Sequence, residues 1–447
     1  MFEPFTDARS DDVADERHYP AFLVRWIGEM TCSTFLRKCT TRQWLVLSLL
    51  CVSSIFAKYD IIIFSVCLKQ IQASLRIDDD AVSYIATIVR LGALPALLAS
   101  VAGDTMGRRK MLIFTLVPYT LFTLLTAFST TKEMFTVCQF MSRIFIIAEL
   151  TLSNCTIVEE FDDDNRGWAI GMLGAISATG LGAGLVVFGL VGGYSWGWRF
   201  MFLVGVIPLG ALSWYRQLLP ETRSYSAHSL NSVPRPMGLN SNPVYLLLHS
   251  YPRRFIYASA FVFSFQFCSN VAGFYNFKYL QEVYDFTPSQ ISLLGFFGGL
   301  VAVNMYTVAG AMSDKHGRKH LVMGISSAFF VMLIGFYNST HWVGAVFLWV
   351  LFMSLEFGVS VIMSTYYSEL FSTSHRSTAA GMYEVCSVLG LTVGTITEAG
   401  LYSVTKSHWS AITYTSLPGI FVSLFLLRLP ETAQTNLNLV SPEILTL

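Results

Sequence analysis

The chain has 447 residues, with 29 Lys and Arg against 29 Asp and Glu, and a formal net charge of zero. Only 13% of it is charged and 53% is hydrophobic, whereas a soluble domain carries about 25% charge. This excludes a soluble globular domain and leaves no electrostatic footprint for nucleic acid; uncharged runs of about 20 residues, the length that crosses a bilayer as helix, predict an all-α integral membrane protein.

Residues 1–43 carry Glu3, Asp7, Asp11, Asp12 and Asp15 near the start, unlike the basic opening and apolar stretch of a signal peptide. They are expected to form a cytosolic tail, with "AFLVRWIGEM" as an interfacial helix or a loop. Twelve spans are then expected. The first six begin near Trp44, Ala81, Met111, Glu133, Trp168 and Arg199, the second six near Phe255, Ile291, Leu321, Trp342, Ser377 and Trp409. Between them, residues 218–254 contain "SLNSVPRPMGLNSNPV" and form a cytosolic linker joining two six-helix halves, 44–217 and 255–430. Residues 431–447 are expected to be a second cytosolic tail.

With the N-terminus inside, twenty of the 29 Lys and Arg fall in inside segments and six in outside loops. The other three, Lys58, Arg90 and Arg143, fall within spans. This bias predicts cytosolic termini, and the plasma (inner) membrane is the expected location. The cysteines show no C-x-x-C spacing and no Cys/His set, so neither disulfides, a metal nor a cofactor is expected.

A fixed offset of 210 residues joins Asp104 to Asp314, Gly107 to Gly317 and Arg108 to Arg318. It also joins Glu159 to Glu369, Arg166 to Arg376, Gly180 to Gly390, Gly184 to Gly394, and "LPET" at 219–222 to "LPET" at 429–432. One register held through separate landmarks identifies a tandem duplication. Both charged turns fall between the second and third spans of their half, so the copies share one topology. They are parallel repeats about an axis along the membrane normal, with a cavity expected between them.

The pattern G-x-x-x-D-x-x-G-R-[RK] is complete in Gly310–Lys319; in the first half Ser100 replaces its opening Gly, while Asp104, Gly107, Arg108 and Arg109 remain. With "EEFDDDNRG", "ELFSTSHRS" and the two "PET" endings, the chain resembles a major facilitator superfamily transporter over residues 44–432. The resemblance implies the twelve-helix fold of that family and a cytosolic latch between the halves. Asp104, Gly107, Arg108, Arg109, Glu159 and Arg166 would form one part of this gate. Asp314, Gly317, Arg318, Lys319, Glu369 and Arg376 would form the other; Glu384, about two turns from the cytosolic end of its span, is also expected at the gate. The glycines would supply positive φ, Asp104 would face a helix N-terminus of the other half, and Arg108 would reach Glu159.

A charge at bilayer depth costs about 2.5–3.5 kcal/mol on insertion scales, and it marks a pathway or an ion pair. At about 1.5 Å per residue, Lys58, Arg90 and Arg143 come out near one depth, about 20–22 Å from the cytosolic ends of their spans. An excess of cations suits an anionic solute, with Arg143 as a planar clamp. Asp60 and Glu149 are the candidate proton-coupling acids. Gln266 and Asn270, one helical turn apart, and Glu356 complete the expected substrate site, although interhelical bonding by the two amides is an equal reading. Glu398 is expected near the outer mouth, in water.

These residues predict a secondary active transporter, a monomer moving a small, anionic organic solute with protons by alternating access. They resemble those of metabolite and organic-anion proton symporters and synaptic-vesicle-type relatives. A drug or cation exporter and a sugar-type facilitator are the alternatives, followed by a receptor that has lost transport. No nucleophile or metal set for an enzyme can be assembled.

Overall fold

The computed structural model describes residues 40–96, 106–161, 163–215, 243–371 and 376–432. The tail before residue 40, most of the linker, Asp104 and residues 433–447 lie outside the described residues, as do the side chains of Arg166, Asp314 and Arg376.

The first half comprises α1 (Thr41–Val66), α2 (Leu68–Leu75), α3 (Asp79–Leu91), α4 (Arg108–Ala127), α5 (Lys132–Glu160), α6 (Asp163–Val191) and α7 (Gly197–Tyr215). The second comprises α8 (Pro243–Ser250), α9 (Pro252–Val283), α10 (Pro288–His316), α11 (Arg318–Tyr337), α12 (Trp342–Glu369), α13 (Arg376–Thr405) and α14 (His408–Ser416). A 3-10 segment, Leu417–Arg428, continues α14. Every expected span start lies within five residues of a helix start. Among the described residues, nine helices are long and apolar enough to cross a membrane. Shorter apolar helices at Ala81–Ala96, Gly197–Val206 and Pro288–Ala302 hold the positions of the second, sixth and eighth expected spans.

Local chemistry explains where these helices begin. Thr40 and Gln43 form a reciprocal capping box at α1, and Thr287 with Gln290 does the same at α10, where Pro288 sits in the first turn. Thr131 accepts from the Met134 amide at α5. The charged turns rest on Gly107 at φ 97° and Gly317 at φ 96°, a conformation that strains residues bearing a Cβ.

Packing follows the glycines. A Cβ at Gly180 would overlap the Ile55 carbonyl oxygen, and one at Gly390 the Phe263 carbonyl oxygen. Gly184 and Gly394 stand equally close to Ile62 and Phe267. Small residues therefore bring α6 against α1 and α13 against α9, the same pairing in each repeat.

The halves meet through α3 with α13 and α6 with α10. Hydrogen bonds between them gather at the far side, opposite the glycine turns. Ser65 donates to the Phe274 carbonyl at 2.7 Å, Lys69 to the Gln281 carbonyl at 2.7 Å, and Gln281 to the Val66 carbonyl at 3.2 Å. Ser83 and Tyr275 share a bond of 2.9 Å. The halves are thus zipped together at the far side.

Candidate functional site

Lys58 on α1, Arg90 on α3 and Arg143 on α5 converge in the interior, with Lys58 and Arg90 each in electrostatic range of Arg143. Asp60 is buried, in range of Arg143 and 3.5 Å from the Ser142 hydroxyl. A cavity of about 10 Å³ touches Asp60, Gln139 and Arg143, about the space one water needs. Arg90 donates to Thr395 across the halves at 3.3 Å, and its guanidinium lies 4.6 Å from the Phe274 ring centre. This is a desolvated cation held by a hydroxyl and an aromatic face.

Glu384, expected at the gate, stands in electrostatic range of Lys58. Its side chain is exposed while it faces a cation of the opposite half, so it borders the gap between them. Glu149 is fully buried and accepts from the Thr115 hydroxyl at 2.9 Å. It is therefore enclosed between α4 and α5.

In the second half a cavity of about 120 Å³ is lined by Phe261, Phe265, Gln266, Glu356, Phe357 and Tyr383, among others. It is smaller than the roughly 300 Å³ at which drug-sized pockets begin, and it suits one small apolar group beside a polar one. Gln266 and Glu356 supply the polar spot. Asn270, one turn from Gln266, is half-buried and its Oδ1 makes no hydrogen bond among the described residues.

At the turns, Arg108 pairs with Glu159 at 2.9 Å and Arg318 with Glu369 at 2.5 Å. Both pairs lie within one half, joining α4 to α5 and α11 to α12, rather than bridging the halves. Arg109 is half-buried beside Arg108. The second "PET" has a role that the sequence reading did not assign. Glu431 accepts from the backbone amides of Arg318 (2.8 Å) and Lys319 (3.1 Å), capping α11 just after Gly317. Lys319 donates to the carbonyls of Leu427 and Leu429, each at 2.8 Å.

Two further sets were missed. Lys278, counted among outside charges, is fully buried near the end of α9; it pairs with Asp79 across the halves at 3.2 Å and lies 3.6 Å from Glu282. The signal was present: "NFKYLQEV" continues the helix without a break. Glu398 corrects the expectation of a solvated acid. It is fully buried and bonded to His408 at 2.8 Å, because α14 turns back over the end of α13 and seals it.

The model of the Major Facilitator Superfamily matches residues 50–366 and 257–443. The chain belongs to this superfamily. It is an integral multi-pass membrane transporter, not an enzyme. A benzoate transport protein of Acinetobacter baylyi (strain ATCC 33305 / BD413 / ADP1) is 23% identical over 441 residues, covering 88% of this chain and 91% of that protein. A protein named as a niacin/nicotinamide transporter in Bacillus subtilis (strain 168) is 23% identical, covering 73% and 80% respectively. The xylose transporter XylE from E. coli, solved in an inward open conformation, has the same fold with a TM-score of 0.70 at 16% identity, covering 89% of this chain and 98% of that one. In this chain the paired α1–α6 and α9–α13 helices are the repeated framework that carries Lys58, Asp60, Gln266, Asn270 and Glu384.

Proposed function

We propose that this transporter moves a small ring-bearing organic anion together with protons, by alternating access across twelve spans with both termini cytosolic. The observation that carries the reading is the convergence of Lys58, Arg90 and Arg143 in the protein interior. Removing cations from water without an anionic partner is costly. Asp60, Glu384 and a bound solute carboxylate offset that cost. Arg143 clamps the carboxylate, and the aromatic cavity bearing Gln266 and Glu356 accepts the ring. Benzoate and niacin, named for two relatives, are both ring carboxylates, which supports this assignment. Asp60 takes a proton as solute binds Arg143, since a neutral Asp60 no longer competes for the guanidinium, and it gives the proton up and pairs with Arg143 when the solute leaves.

On this reading the far-side bonds describe an inward-facing state, with Asp104, Arg166, Asp314 and Arg376 reserved for the opposite state. The test is uptake of radiolabelled benzoate and nicotinate into proteoliposomes of purified monomer, with and without an imposed proton gradient. Gradient-driven accumulation is expected. Saturable uptake indifferent to the gradient would remove the proton, and uptake of neutral analogues alone would remove the anion.

A further inference from the structure

The Glu398–His408 pair is not needed to bind a carboxylate, yet it is among the most enclosed ionisable groups in the protein. Glu398 is fully buried and His408 is 5% exposed. Their one mutual bond, Oε1 to Nδ1 at 2.8 Å, leaves Glu398 Oε2 and His408 Nε2 without a hydrogen bond among the described residues. The imidazole is stacked between Tyr275 of α9, 4.9 Å away, and Tyr402 of α13, 4.1 Å away. Burying polar atoms without partners is unfavourable, so the arrangement calls for a role that a packed apolar pair would not fill.

Its surroundings indicate one. Arg90 of α3 and Tyr337 of α11 lie in electrostatic range of Glu398. Asp79, at the start of α3 and paired with Lys278, lies in range of His408. The pair belongs to the second half, but Arg90 and Asp79 belong to the first. Parting the halves at the far side would therefore open the pair to water.

We propose that Glu398 and His408 form a second proton-binding site, distinct from Asp60 and loaded from the far side. With Glu398 ionised and His408 neutral, the pair carries one negative charge and compensates Arg90. One proton from far-side water adds to the pair, held along the Oε1–Nδ1 bond, and brings its net charge to zero. Arg90 then lacks its counter-charge and attracts the solute carboxylate. Proton and anion binding favour one another by linkage, which is reciprocal. The inference rests on the proton-coupled anion reading and adds a second coupled proton to it.

The experiment measures benzoate accumulation at steady state against an imposed pH difference, with the membrane potential clamped at zero. The logarithm of the accumulation ratio rises by one per pH unit for each coupled proton. Wild type is expected to show a slope of two; a slope of one overturns the second site without recourse to any variant. Glu398→Gln and His408→Gln, close in size to the residues they replace, should each lower the slope to one while benzoate counterflow persists. An unchanged slope in a variant competent for counterflow also overturns the proposal. A wild-type slope of zero overturns proton coupling itself, which separates failure of that reading from failure of this one.

Discussion

Replacing Gly390 with Ala tests whether close approach of α9 and α13 holds the second half together. The new Cβ would overlap the Phe263 carbonyl oxygen and stand 3.0 Å from its carbonyl carbon and 3.1 Å from its Cα. Comfortable carbon–carbon contact is about 3.5–4.0 Å, so the helices must separate locally by about 0.5–1 Å. The obstacle is backbone, which no rotamer change can clear. Overpacking of this kind costs about 1–3 kcal/mol. The internal control is Gly400→Ala on the same helix, where nothing lies within 4 Å of the added Cβ. There the change should be neutral or stabilising, because Ala favours helix by about 1 kcal/mol over Gly. Thermal unfolding of the detergent-purified protein should give a lower midpoint for Gly390→Ala than for wild type and Gly400→Ala. Equal midpoints for the two variants would refute the packing argument. Gly180→Ala, which meets Ile55 in the same way, should repeat the loss in the first half.

Other perturbations separate the cation cluster, the turns and the far-side zipper. Arg143→Ala should abolish benzoate uptake with normal membrane insertion, and Arg143→Lys should restore only part of it, because an ammonium cannot clamp a carboxylate with two parallel bonds; full uptake by the alanine variant would remove the clamp. Glu431→Gln should cost about 1 kcal/mol by weakening the cap of α11, read as a lowered unfolding midpoint, and an unchanged midpoint would show the cap to be dispensable. Burial pushes the Asp79 carboxyl upward, but the Gln72 hydrogen bond and the Lys278 ammonium outweigh it and hold its pKa below the usual carboxylate value. The Lys278–Asp79 bond should therefore persist from neutral pH down through the ordinary carboxylate range and fail only as pH falls through the lowered pKa. Cysteine accessibility of a probe placed at Ser83 should accordingly stay low through mild acid, and Asp79→Asn should raise it at neutral pH.

Properties dictated by short stretches of chain were legible before any fold was known. Membrane thickness and backbone hydrogen bonding demand apolar helices of a set length, so the polar punctuation marked where each begins. The 210-residue register identified the duplication, and Gly107 and Gly317 announced turns whose positive φ disfavours residues bearing a Cβ. The partners of the ionisable groups were another matter, because they come from other helices. Depth along a helix placed Lys58, Arg90 and Arg143 together, yet said nothing of which face Glu384 presents to Lys58. It also gave no sign that α14 would close over Glu398, that Lys278 would bridge the halves, or that Glu431 would cap α11. Burial and pairing are set by what packs against a residue, and only the assembled helices supply that.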